Sequence, residues 1–444
     1  MHLKKLNLVG FALVILFSAA CSEPKTPLTP RQKNVCADLN EQECASSQRL
    51  IQKSCEWNAV CKDAASLEAN FPVHTAEELL SYLEAPNIPA AVKALADKGE
   101  AVYQNSSSEL AQARLKKGKK TFASRDMDWI TKTFGQDESA IINEFKKIEA
   151  PATWTIGEIT KAHTKEISQN KPDESVGIPH LTLVSGFNVT QLPEAKLASG
   201  LLQLASQFNY LESPGTSKTT VSLYIRDSTQ GPAGSVEAAA AALHRTAAEA
   251  AQKLPHSLFR ILPANHERYY KNGYFMLFKI NQKDELSQLK NLLESKIEKM
   301  EILPQWAIYE ATGKVQLQVL AAAPSYQGAG TPAYLSTEGQ ICDLLVSTQY
   351  EALAKMAVIM SVLMNKEIPV HLTMVGQGVF NNPPEVMKSS LEKVAQVIKG
   401  YPKVRVFIHA HSSNEQDKIR KFAQESSALY SFSELSAEDF LVAD

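Results

Sequence analysis

The chain has 444 residues, 44% of them apolar and 21% charged, with a formal net charge of −2. That length admits about two or three domains, and the apolar fraction is enough for a proper core. The near balance of charge excludes the basic footprint of a nucleic-acid-binding protein, so nucleic acid is not expected among its partners.

In chain order, the first feature is an export signal. Lys4 and Lys5 precede an apolar run from Leu6 to Phe17, which ends in Ser18, Ala19, Ala20 and Cys21. A charged start, a short apolar stretch and small residues make a secretory signal over residues 1–20, and the stretch is too short to span a bilayer. Small residues directly before a cysteine resemble the lipobox of bacterial lipoproteins, with Ser18 where that family usually has Leu. The resemblance implies that Cys21 is acylated (a palmitate-type anchor) and becomes the new N-terminus. The protein would then sit lipid-anchored in the cell envelope, on the periplasmic face or the cell surface, with the lipid membrane as a partner through Cys21. A plain cleaved signal and an uncleaved anchor are the alternatives.

Residues 21–35, with Pro24, Pro27 and Pro30 among polar neighbours, read as an extended tether. Cys36, Cys44, Cys55 and Cys61 then cluster in a small module, residues 36–62. Four clustered cysteines in an exported chain predict two disulfides, with three pairings open. No CxxC pair and no histidine lies among them, so no metal is assigned. Cys342, in an apolar helical segment, reads as a buried inert thiol.

Residues 63–170 read as a helical region. Thr75 and Glu78 form a capping box before Leu79, Leu80 and Leu83, and Pro86 ends that helix. Ile141, Ile142, Phe145 and Ile148 mark another helix by their spacing. The run Lys116, Lys117, Lys119 and Lys120 reads as a solvated helix end.

From residue 178 to 444, β-type runs alternate with helices. Strands are expected at His180 to Val184, Thr219 to Ile225, Tyr274 to Ile280, Trp306 to Tyr309, Lys314 to Ala322, Val370 to Val375 and Val404 to His409. Helices are expected at Glu194 to Phe208, Ser235 to Lys253, Lys283 to Lys299, Glu338 to Asn365, Pro384 to Lys399 and Gln416 to Gln424. Such alternation predicts an α/β domain with a largely parallel or mixed sheet.

Two glycine loops carry the chemistry. The strand ending at Val375 leads through Gly376 and Gly378 to a helix with Pro384 in its first turn. Glycines there permit tight turns and close approach of backbone to a ligand, and a helix N-terminus directs N–H groups at the same point, which suits a phosphate. The spacing is neither a Walker loop nor G-x-G-x-x-G, and a purely structural turn is the alternative. The second loop, Gly231-Pro-Ala-Gly234-Ser235, leads into a helix from Val236, with Ser235 as N-cap. Two such loops could clamp a diphosphate between them.

Residues 180–430 resemble a divergent macro domain, the ADP-ribose-binding fold. Tyr350, Leu353, Ala354 and Ala357 follow that family's helix pattern. Gly376, Gly378, Val379, Phe380 and Pro383 follow its G-x-G-[IV]-[FY]-G-[YF]-P loop, with Asn381 and Asn382 departing from it. Pro324 and Tyr326 keep part of an upstream strand motif, and Leu243, His244 and Arg245 part of a helix motif. The resemblance implies a three-layer α/β/α domain, preceded by the disulfide module and the helical region. It also implies ligand-binding roles for Gly231, Gly234, Ser235 and Val236 in one phosphate loop and for Gly376, Gly378, Val379 and Phe380 in the other. The Asn-Ala-Ala-Asn expected near the distal ribose is missing, and Asn188 is its nearest stand-in.

The expected function is therefore an envelope-anchored protein that binds ADP-ribose or a related nucleotide diphosphate, with no further cofactor. The alternatives are an ADP-ribosyl hydrolase, whose catalytic residues the sequence does not name, and a structural envelope protein with a non-functional pocket. His409 and His411, two apart, could share a face, but nothing completes a metal set around them. His244 and Arg245 read as helix surface or pocket rim rather than as a catalytic base. Tyr269, Tyr270, Asn272 and Tyr274 read as packing at a strand start.

Overall fold

In the computed structural model, α1 (Ala76–Glu84) begins as the sequence predicts. The Thr75 hydroxyl accepts from Glu78 N, and the Glu78 carboxylate accepts from Thr75 N at 2.6 Å. The structure describes residues 74–97 except 87 and 91, 147, 149–186, 200–211, 239–250, 258, 261–262, 269–308, 314–326 and 330–442. All lie within one unit, Pro72–Asp444. The signal, the tether, the cysteine module, the 116–120 lysine run, the 141–148 helix (save Lys147), Asn188, the 219–225 strand and the 231–236 loop lie outside the described residues.

After β1 (Trp154–Thr155), α2 (Ile156–Gln169) and β2 (His180–Ser185) comes β3 (Leu201–Ser206). The second half of the helix expected at Glu194 to Phe208 is thus a strand. Leu, Gln, Ala and Ser carry no β-branch, so local preference favours helix. Burial at the sheet centre overrides it: Leu201, Leu202 and Gln203 are at most 1% exposed. α3 (Ala239–Ala250) follows, then a two-stranded hairpin, β4 (Tyr270–Lys271) and β5 (Tyr274–Phe275), and a 3-10 turn at Leu277–Lys279. The long strand expected at Tyr274 to Ile280 is therefore only a hairpin arm. Asn272 and Gly273 both adopt positive φ and make the reversal.

The remaining elements are α4 (Lys283–Lys296), β6 (Glu301–Ile308), β7 (Val315–Ala322), α5 (Thr337–Leu363), β8 (Ile368–Leu372), α6 (Pro384–Ile398), β9 (Val404–Ala410), α7 (Ser413–Glu425), β10 (Ser431–Ser436) and α8 (Ala437–Val442). The last two were not expected. Ser431-Phe-Ser-Glu-Leu-Ser436 is a half-polar strand at the sheet edge, which gives a weak apolar signal.

Among the described residues eight strands form one mixed sheet in the order β1-β6-β7-β3-β8-β9-β2-β10. β6 runs antiparallel to both neighbours, while the pairs from β7 through β10 are parallel. Alternation along each strand sorts side chains by face. Leu183, Leu201, Val319, Val370, Val406 and Ile408 join the main core with α2, α5, α6 and α7. On the opposite face, Val184 and Leu202 meet Phe440 of α8, and Leu303 and Leu320 meet Ala248 of α3. The result is a central mixed sheet with helices on both sides. α5, about 40 Å long at 27 residues, is apolar on most of its circumference because it lies inside this core. No described helix is long and apolar enough to cross a membrane.

Candidate functional site

The chain runs from β3 toward one sheet edge (β6, β7), then returns over β3 to β8 and β9. Connections therefore diverge at β3 and β8, and in such sheets the crevice beyond the carboxyl ends of the strands is where ligands bind. The 373–383 loop leaves β8 at that end.

The loop closes on itself through Gln377 N to Met374 O, Asn381 N to Gly378 O and Asn382 N to Gly376 O. Gly376 has φ +79°, and a Cβ there would sit 2.8 Å from the Ala323 Cβ, so only glycine fits. Gly378 faces open space, with nothing within 4 Å of a Cβ. Asn381 takes φ +52°, a left-handed position that asparagine tolerates. The N–H groups of Gly378, Val379 and Phe380 follow one another and meet no acceptor among the described residues. α6 starts beside them with Pro383 as an N-cap that offers no side-chain acceptor. Residues 373–384 carry no charged side chain. Any anion held here would therefore be held by backbone dipoles.

Side chains brace this loop. The Tyr350 hydroxyl donates to Thr373 O and accepts from Val375 N at 3.1 Å. The Gln203 Oε1 accepts from Thr373 N at 3.0 Å. The Asn382 Nδ2 donates to Pro324 O at 2.7 Å and to Phe380 O. Tyr326 N donates to Phe380 O, which ties the segment after β7 to the same loop.

The hairpin reaches the site as well. Phe208 N donates to Gly273 O, and Ser325 N to Phe275 O. The Gln207 Nε2 donates to the Tyr274 hydroxyl, and the Tyr274 ring lies 5.6 Å from the Phe380 ring. Asn209, fully buried at the end of β3, has its Oδ1 on Leu211 N, with Gly273 against it.

Of the expected binding residues, Gly376, Gly378, Val379 and Phe380 thus share one loop. Val379 is 65% exposed, and Phe380 is half-buried against Tyr274. Gly231, Gly234, Ser235, Val236 and Asn188 lie outside the described residues, as do Cys21, Cys36, Cys44, Cys55 and Cys61. Gln203, Gln207 and Asn209 are not legible as site residues in the sequence, because a segment with helical preference shows no strand end. Their signal was a polar run, Ser206-Gln-Phe-Asn209, directly after an apolar one.

His244 and Arg245 are not at a surface or rim but buried between α3 and β6. The His244 Nε2 lies 2.6 Å from Glu149 O, its Nδ1 meets the Gln305 amide, and Arg245 donates to the Gln305 Oε1. β6 supplies a buried polar partner that helix periodicity could not reveal. Burial first, and then the Arg245 charge, pull the His244 pKa down to about 4 against the opposing Glu149 bond. His409 does not share a face with His411 in any metal pair. It is buried, its Nε2 lies 3.0 Å from the His371 Nδ1, and His411 is exposed. Burial and the His371 charge hold His409 well below its ordinary range. Among the described residues no group of three or more His, Cys, Asp or Glu side chains could hold a metal ion. Cys342 is free and buried, and burial pushes its thiol pKa far up.

No protein-family model matches this chain, and no curated protein matches it. Among solved structures, it is similar to a Trypanosoma brucei macrodomain determined in complex with ADP. That likeness covers 68% of this chain and 97% of the other at 11% identity, with a TM-score of 0.29.

Proposed function

We propose that this protein is an envelope-anchored lipoprotein whose α/β domain is a divergent macro-like domain that binds ADP-ribose or a related nucleotide diphosphate. The observation that carries the reading is the row of three backbone N–H groups, Gly378, Val379 and Phe380, without an acceptor among the described residues. They stand beside the N-terminus of α6, at the carboxyl end of a parallel strand. Such a nest suits a phosphate oxygen. The loop sequence, Gly376-x-Gly378-Val379-Phe380, supports the same reading. Phe380 and Tyr274 offer an aromatic wall for the adjoining sugar. Asn209 is a further candidate for the ribose contact expected of Asn188. β3 is hydrogen-bonded directly to β8, whereas β2 is separated from β8 by β9.

Titration calorimetry of the full chain with ADP-ribose tests the reading. Binding is expected in the wild type and its loss in Gly378→Glu. Gly378 faces open space, so this substitution adds a carboxylate against the diphosphate without a packing clash. Absence of heat from the wild type, with the protein folded, would sink the proposal and leave the structural reading, a domain whose crevice is closed by Tyr274 and Phe380.

A further inference from the structure

Gly376 tolerates either sign of φ and Gly378 meets no neighbour, so steric exclusion alone leaves the 373–383 loop several paths. What selects one path is a set of buried polar contacts supplied from elsewhere. Tyr350 lies on α5 and Gln203 on β3, and both are fully buried. Neither side chain serves its own element in these contacts. The Tyr350 hydroxyl pairs with two backbone groups of the loop, Thr373 O and Val375 N. The Gln203 Oε1 takes Thr373 N at 3.0 Å and the Thr373 hydroxyl at 3.4 Å. At the far end the Asn382 carboxamide holds Pro324 O and Phe380 O.

Burying a hydroxyl and a carboxamide among apolar side chains is unfavourable unless they are paired. Here the pairing satisfies the backbone groups at the start of the loop. Among the described residues the N–H groups of Gly378, Val379 and Phe380 are left over. We propose that Tyr350 and Gln203 are positioning residues for the anion-binding loop, holding it in the conformation that leaves its outer N–H groups free. This inference rests on the nucleotide-binding reading and names how that site is kept in shape.

The consequence is specific. Without the hydroxyl, Val375 N and Thr373 O keep only their 3.1 Å bond to each other, and the adjoining peptide, which carries Gly376 N–H, loses its tie to α5 and is free to turn. The competent loop then becomes one conformer among several. Apparent affinity falls in proportion to its population.

The test compares full-length wild type, Tyr350→Phe and Ile419→Val, the last being a fully buried position on α7, outside the loop. Calorimetry and stopped-flow with ADP-ribose should show about a tenfold or larger rise in Kd for Tyr350→Phe. The rise should come from slower productive association with little change in dissociation. Ile419→Val should lose stability with Kd unchanged. The amide resonances of Gly376 and Gly378 in an NMR spectrum without ligand should shift or broaden in Tyr350→Phe alone. If Tyr350→Phe binds ADP-ribose as tightly as wild type, or if those resonances keep their positions, the positioning role is overturned. If wild type binds nothing but the resonances move, the nucleotide reading fails while the bracing of the loop stands.

Discussion

At the scale of single residues, the site depends on one glycine for geometry and another for access. Gly376 occupies φ +79° with Ala323 and Asn382 against it. Gly376→Ala is therefore expected to lower stability by about 1–3 kcal/mol, from left-handed strain and from crowding. Urea unfolding followed by circular dichroism checks this, and an unchanged midpoint would contradict it. Gly378 has no such neighbour, so the same change there should leave stability within about 0.5 kcal/mol. His244 gives a pH signature. Its folded pKa, about 4, lies below the ordinary 6.5. Above pH 6.5 both states are neutral at this group and its contribution is full. Between pH 6.5 and about 4 the unfolded chain takes a proton that the folded one refuses, so stability falls. The loss for this residue alone is roughly 3 kcal/mol, at 1.36 kcal/mol per pH unit. His163, also pulled to about 4 by burial, steepens the same window. Urea midpoints between pH 7 and 4.5 should slope downward for wild type and less so for His244→Gln.

At the scale of elements, α1 shows how a helix with modest burial of its own is held. Leu79 and Leu83 are fully buried, and Tyr82 ties the helix to β6. Its hydroxyl donates to Pro304 O and accepts from Trp306 N, while Trp306 Nε1 donates to Tyr82 O. Tyr82→Phe leaves a backbone N–H of β6 without its acceptor and should lower the unfolding free energy by about 1–3 kcal/mol. A thermal unfolding curve unchanged from wild type would show that the hydroxyl contributes nothing to holding α1. The capping box of α1, the strands at 315–322 and 404–410 and the helices α5, α6 and α7 were legible in sequence, because each carries a clear period or cap. β3 was not. Its residues prefer helix, and only neighbours on both sides of the sheet make an extended path favourable. β10 and α8 were missed for a related reason. At a sheet edge, half the side chains face water and the apolar alternation fades.

For the whole molecule, the cysteine pattern makes a count the test of compartment. Cys342 is buried and free. If Cys21 carries a lipid and the four clustered cysteines are paired, protein unfolded without reductant should titrate one thiol, and protein reduced first should titrate five. Two or more thiols without reductant would contradict the expected module. The clustered cysteines and the charged start before an apolar run are the sequence features on which the proposal of export rests.

Sequence by itself determined the class of the domain, an α/β fold with alternating elements, and singled out the 376–380 loop. Both follow from local rules, since hydrophobic period, caps and glycine act over a few residues. Tertiary structure alone decided the strand order, the central place of β3, the burial of His244, Arg245 and His409, and the bracing of the loop by Tyr350, Gln203 and Asn382. Those contacts join residues up to 170 positions apart. A long-range partner leaves no periodic trace in the chain, because the burial that favours a polar pair exists only once the sheet has formed around it.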